Sequence, residues 1–192
     1  MSTVGLDLQE TAALRKAALW SALAGAAQIA IPLFGDQAYP FLYDLLTAMG
    51  YGLIFPLVAV LQVRNAPHRH SGAILGTITG SAVATVGLAG AANIDVRPAS
   101  LFVLGMWWWT IGKMAVETGT LPRLFGQITA LLGALCFLVV PLETFGPGFT
   151  AVMPRSVADV LTQPWFAAAH VVLGLWLLAV ATIVARARAG WI

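Results

Sequence analysis

The chain has 192 residues, of which 59% are apolar and only 9% charged, and its mean hydropathy is +0.86. A soluble globular domain is about 25% charged, so these proportions exclude an ordinary cytoplasmic enzyme, a disordered tail and a nucleic-acid-binding domain. Ten Lys and Arg against eight Asp and Glu leave +2 at neutral pH, and the basic residues sit at the ends of apolar runs, as membrane topology asks.

The expected fold is all-α, a six-helix transmembrane bundle forming one membrane domain over 1–192. About 20 residues are needed to cross a ~30 Å hydrocarbon core at 1.5 Å per residue. Six runs approach that length: 17–34, 41–63, 71–93, 98–118, 124–142 and 165–185.

Ahead of the first span, Asp7 and Glu10 precede Arg15 and Lys16, an order that suits a short interfacial helix and its dipole. Ala24-Gly25-Ala26 resembles a signal-peptide cleavage site, but the apolar run continues to Phe34, so an uncleaved helix is expected. Gly35-Asp36 with Tyr39-Pro40 closes the first hairpin. The second span holds Gly50, Gly52 and Pro56, which predicts a kink. It ends at Arg64-Asn65-Ala66-Pro67, before a basic loop of His68, Arg69 and His70. Two histidines at i, i+2 lack a third metal ligand, so contact with anionic lipid headgroups is the better reading of that loop.

Gly72, Gly76 and Gly80 put one flat stripe on the third span, with Gly87 and Gly90 beyond it. Such a stripe admits another helix closely, either inside the monomer or across a homodimer. After Asp95-Val96-Arg97-Pro98, the fourth span carries Trp107, Trp108, Trp109, Lys113 and Glu117. Consecutive helical residues point about 100° apart, so the three tryptophans cannot line one wall. Trp109, Lys113 and Glu117 share a face, which allows a cation–π contact followed by an ion pair. Interfacial belts account for Trp20 and Trp165, whereas Trp108 lies near mid-span, where its ring N–H needs a partner.

Cys136, the single cysteine, lies inside the fifth apolar run and reads as a small buried hydrophobe. The stretch from Glu143 to Pro164 is expected as a long loop, with a capping box at 156–159 opening a short surface helix near 156–163.

With the N-terminus inside, Arg15, Lys16, Arg64, Arg69, Lys113, Arg123, Arg186 and Arg188 fall on the cytoplasmic side and only Arg97 and Arg155 outside. The positive-inside rule therefore puts both termini in the cytoplasm of a multi-pass cell-membrane protein. Gln28, Tyr43, Asp44, Asn93, Asp95, Arg97, Glu143, Asp159 and His170 then share the outer half. Ionisable residues inside a span are costly, which makes Asp44, Glu117 and His170 the candidate catalytic groups. An Asp44–His170 pair would hold a proton near neutral pH; alternatively Asp44 caps its helix and His170 meets headgroups. Trp107, Trp108, Trp109, Gln28 and Tyr43 are the candidate ligand-binding residues, and no metal or cofactor motif is found.

The run Met106-Trp107-Trp108-Trp109-Thr110-Ile111-Gly112-Lys113, continuing to Gly119-Thr120-Leu121-Pro122-Arg123 and Gly126, resembles uncharacterised small polytopic bacterial integral membrane proteins. In these a Trp-rich span precedes a Gly-x-Leu-Pro-Arg turn. The resemblance implies a six-helix bundle and no particular activity. A looser likeness, by analogy only, is to membrane-embedded terpene cyclases and sterol isomerases.

Three functions follow as expectations. One is an intramembrane pocket enzyme, of isomerase or cyclase type, moving a proton on a lipid-like or terpenoid substrate between acid and base residues. Another is a small proton-linked transporter or channel, which needs a polar route between the faces. The third is a non-catalytic membrane subunit. Expected partners are membrane lipids, a hydrophobic small-molecule substrate, no nucleic acid, and a second copy through the Gly72/Gly76/Gly80 face.

Overall fold

The computed structural model describes residues 3–34, 39–91, 97–150 and 164–186, with side chains over 12–34, 39–89, 99–137 and 167–186. Its elements are α1 (Thr3–Ala30), a 3-10 turn (Ile31–Leu33), α2 (Pro40–Gly52), α3 (Ile54–Asn65), α4 (His70–Ala91), α5 (Arg97–Thr118), α6 (Arg123–Thr150) and α7 (Pro164–Arg186). Asp36, Asn93, Asp95, Arg155, Asp159, Arg188 and the capping box at 156–159 lie outside the described residues, as do the side chains of Asp7, Glu10, Arg97, Glu143 and Trp165.

Among the described residues, five stretches are long and apolar enough to cross a membrane: Ala12–Leu33, Pro40–Asn65, His70–Ala89, Ala99–Thr118 and Ala167–Arg186. Arg123–Phe137, the part of α6 with described side chains, is apolar as well. The chain is therefore an all-helical membrane protein.

Backbone chemistry explains the breaks. Pro32 ends α1 in a 3-10 turn, and Pro40 opens α2 at a position whose N–H has no helical partner anyway. Between α2 and α3, Leu53 sits at φ −75°, ψ −3°. Pro56, three residues on, has no N–H for the Gly52 carbonyl and crowds it, so the span kinks there. Gly119 ends α5 at φ 68°, a left-handed conformation that favours glycine. The α3–α4 turn is keyed by buried Asn65, whose Nδ2 donates to the Leu61 carbonyl (2.7 Å) and whose Oδ1 accepts from Thr120 (2.8 Å) at the start of the α5–α6 turn.

Two expected boundaries differ. α1 is one continuous helix from Thr3, not an interfacial helix followed by a span. α6 runs on to Thr150, through Pro141 and Pro147, where a loop was expected from Glu143. Polar-leaning composition suggested the loop, but neighbouring helices in a membrane protein can tolerate proline within a helix.

Neighbouring helices run antiparallel. On the α4–α5 contact, Gly72 faces Met114, Gly76 faces Ile111 and Gly80 faces Trp107. The glycine stripe is thus occupied by α5 of the same chain, the intramolecular one of its two expected uses. α5 and α6 approach through Gly105 against Gly133 and Gly112 against Gly126. A Cβ on Gly133 would lie 2.7 Å from the Gly105 carbonyl oxygen, and one on Gly112 the same distance from that of Gly126. α1 and α7 approach through Gly25 and Gly174, where either added Cβ would lie 2.7–2.8 Å from the opposite carbonyl oxygen. Small residues let backbones close to this distance, which is how helices pack tightly without a hydrophobic driving force between them.

Candidate functional site

The α1–α7 seam carries more than small residues. Ser21, Gly25 and Gln28 recur at i, i+4 and i+7 on α1, facing Leu177, Gly174 and His170 at the same spacing on α7. The Ser21 hydroxyl donates to the Leu177 carbonyl at 2.7 Å. One turn beyond the glycine pair, His170 Nδ1 lies 2.6 Å from Gln28 Oε1. Gln28 is 0% exposed and His170 3%. With the amide oxygen towards the ring, Nδ1–H donates. The neutral imidazole is then held as the Nδ1–H tautomer, and Nε2 carries its basic lone pair.

Two other helices complete the surroundings. Tyr51, at the end of α2, meets the His170 ring edge-on with centroids 5.9 Å apart and an interplanar angle of 70°. Its own ring lies over Gly87 of α4, where any Cβ would overlap it. Gly50 makes room for Gln28, since a Cβ there would sit 3.0 Å from Gln28 Nε2. The Tyr51 phenol is within electrostatic reach of the Gln28 amide and of half-buried Tyr43. Even so, Gln28 Nε2 makes no hydrogen bond of normal geometry among the described residues. Nor does the hydroxyl of buried Thr47, one turn before Tyr51. Buried polar atoms without partners cost about 1–3 kcal/mol each, so this cluster is not what folding alone would select.

His170 and Tyr51 form part of the wall of a crevice shared with Val83, Ser100, Leu101, Leu104, Ala169 and Leu173. It reaches the surface but is narrow, with a cavity volume of about 10 Å³. That is the room of about one water.

The expected catalytic set is not assembled. Asp44 is exposed on α2, whereas His170 is buried. Asp44 does not cap α2 either, because the cap position is Tyr39 and carries no side-chain hydrogen bond. Glu117 pairs with Arg69, both partly exposed, at the other end of the bundle. Gly87, beside Tyr51, lies about 25 Å along α4 from that end at 1.5 Å per residue. Lys113 makes the expected cation–π contact, its Nζ 5.7 Å from the Trp109 ring. The ion pair expected from it belongs instead to Arg69, because the α3–α4 turn brings the guanidinium to Glu117.

The tryptophans diverge as helical geometry demands. Trp109 points outward and is 42% exposed, while Trp107 and Trp108 are buried. Both pack on Trp176 of α7, at centroid distances of 5.2 and 6.1 Å, and Phe125 of α6 stacks on the same ring at 5.9 Å. Trp176 Nε1 donates to Thr129 at 2.8 Å, whereas Trp107 and Trp108 Nε1 have no hydrogen-bond partner among the described residues. The tryptophans form a solid aromatic layer, and neither Trp107 nor Trp108 lines the His170 crevice.

Gln28 and His170 are therefore the expected site residues that meet, with Tyr43 nearby. Sequence reasoning passed over Tyr51, Thr47, Ser21 and Trp176. Part of the signal was present: small and polar residues repeating at 21, 25 and 28 and again at 170 and 174. Among the described residues, no three His, Cys, Asp or Glu side chains gather as a metal cage. Comparison with known protein families, curated protein sequences and solved structures finds no match.

Proposed function

We propose that the chain is a six-span protein of the cell membrane, with both termini cytoplasmic, that transfers a proton on a lipid-like molecule at His170. α6, lying along α5, serves as the sixth span. The positive-inside count supports the orientation, since eight of the ten basic residues fall on the side of Arg69 and Glu117.

The observation that carries the activity is the buried Gln28–His170 hydrogen bond beside a crevice open to the surface. Gln28 orients the ring, and His170 Nε2 is the base. The Tyr51 hydroxyl is a hydrogen-bond donor for an oxygen on the substrate. In an isomerisation, Nε2 takes a proton from carbon, the C–H electron pair becomes a new double bond, and the former π pair takes a proton back at the far carbon. No oxidant or reductant is needed. This is isomerase-type chemistry; a cyclase needs an enclosed aromatic cavity, and here the tryptophans fill their own space.

Transport is the weaker reading. Between His170 and the Arg69–Glu117 end, α7 presents buried Leu173, Trp176, Leu177 and Val180, and α5 presents Trp107, Ile111 and Met114. The buried hydroxyls in that stretch, Ser21 and Thr129, are already bonded to the Leu177 carbonyl and to Trp176, which leaves a proton path no open relay there.

The test is unbiased as to substrate. The purified full chain is incubated with a total membrane-lipid extract in D2O, and lipids are screened by mass spectrometry for deuterium gain. The expected result is label in one lipid species with wild-type protein and none with His170→Gln or Tyr51→Phe at matched helicity. Equal labelling by His170→Gln overturns the role of His170. No labelling by the wild type overturns proton transfer and favours a non-catalytic membrane subunit.

A further inference from the structure

We infer that the crevice takes its ligand sideways from the bilayer, between α5 and α7, and that this ligand is an uncharged single-chain amphiphile with a carbonyl or hydroxyl oxygen at one end. The inference builds on the proposed function by naming the substrate class.

The mouth is set by where α5 and α7 part. Ser100, Leu101 and Leu104 form one wall and Ala169, His170 and Leu173 the other, with Tyr51 and Val83 behind. One turn deeper the two helices are pinned together, because Trp107 and Trp108 close on Trp176. The crevice is therefore a notch that ends short of this aromatic layer, with Leu104 and Leu173 its deepest lining residues on α5 and α7. In the sequence the apolar run of α5 follows Asp95 and Arg97, and that of α7 follows Gln163. The two walls, starting at Ser100 and Ala169, thus begin within about 10 Å of the start of the hydrocarbon layer, at 1.5 Å per residue. A membrane amphiphile keeps its polar end at that depth.

The lining dictates what enters. Among the described residues it contains no Asp, Glu, Lys or Arg, so a charged headgroup there would lose its hydration without a counter-ion. Its polar groups are the Tyr51 phenol, the His170 imidazole and the Ser100 hydroxyl, which serve a neutral oxygen. The cavity volume of about 10 Å³ takes one such atom, not a phosphate or a sugar. The remaining wall (Val83, Leu101, Leu104 and Leu173) is aliphatic and suits one alkyl or isoprenoid chain leading out to lipid.

The test uses 2-octadecanone carrying a mid-chain diazirine, photolysed with the full chain in phosphatidylcholine vesicles, and the labelled residues are mapped by mass spectrometry. Label is expected at 100–104 and 169–173. Excess 2-octadecanone or 1-octadecanol competes, whereas octadecane, octadecanoate and water-soluble 2-butanone do not. Ser100→Trp, which plugs the mouth, lowers labelling about tenfold, equivalent to ~1.4 kcal/mol of binding. Competition in the wild type keeps the test valid if that variant does not fold.

Label spread over the exposed α6 residues Leu124, Ile128 and Leu131, without competition, overturns the inference. Competition by octadecanoate overturns the neutral headgroup, and competition by 2-butanone overturns entry from the bilayer. Crevice labelling without deuterium gain in the wild type leaves this inference standing and removes proton transfer. Deuterium gain without crevice labelling does the reverse.

Discussion

The α5–α6 and α1–α7 pairs solve the same packing problem with different chemistry. α5 and α6 meet through Gly105/Gly133 and Gly112/Gly126, backbone against backbone. α1 and α7 have one such glycine pair, Gly25/Gly174, flanked by two buried side-chain hydrogen bonds, from Ser21 to the Leu177 carbonyl and between His170 and Gln28. Tight association of apolar helices needs only small residues at the contact. The α5–α6 pair shows that this chain achieves it that way. A buried Gln–His pair, beside polar atoms that find no partner among the described residues, is more than packing requires, and that excess points to function.

The largest effect that would break this comparison comes from Gly112→Leu. A Cβ there already meets the Gly126 carbonyl oxygen and the Ala130 backbone, neither of which can give way. Overpacking of this kind is expected to cost about 3 kcal/mol or more, seen as loss of a monodisperse peak on size-exclusion chromatography in detergent. Gly50→Ala, whose nearest neighbour is the movable Gln28 side chain, should remain folded. Equal tolerance of both would mean that backbone approach does not hold α5 to α6.

A double-mutant cycle on the polar pair should have an intermediate effect. Gln28→Leu or His170→Leu alone leaves a buried polar partner unsatisfied and should cost about 1–3 kcal/mol in thermal stability. The double variant should recover most of that loss, since an apolar pair of similar shape is nearly neutral in place of a buried polar one. Deuterium incorporation should be absent in all three. A double variant as unstable as the sum of the singles would make the pair scaffolding.

The smallest effect is expected at Arg69→Ala. The Arg69–Glu117 pair is exposed and should contribute less than about 1 kcal/mol, falling further in high salt. A loss as large as that of His170→Leu would show that a surface pair supports this bundle as strongly as the buried one.

Much of the site was legible in part. Gln28 and His170 stood out as polar residues inside apolar runs, which is costly in a bilayer wherever they point. That they face one another was not legible, because α1 and α7 are the most distant spans in the chain and no local pattern states their register. Asp44 carried the same signal as His170 and yet is exposed. Hydropathy records that a polar group enters a span, not whether it is buried there. Tyr51 was passed over because its neighbours Gly50, Gly52 and Pro56 read as a kink. The kink is present, and Gly50 also makes room for Gln28.

By itself the sequence determined the membrane solvent, the kink at Pro56, the divergence of the three tryptophans and the cation–π contact of Lys113 with Trp109. All of these follow from composition or from the 3.6-residue turn within one helix. Tertiary structure alone decided which glycines meet, that Arg69 and not Lys113 takes Glu117, that Trp176 gathers Trp107 and Trp108, and that Tyr51 joins Gln28 and His170. Each is a relation between helices. Its energy comes from backbone approach, ring packing, buried hydrogen bonds or an exposed ion pair, whose partners lie tens of residues apart.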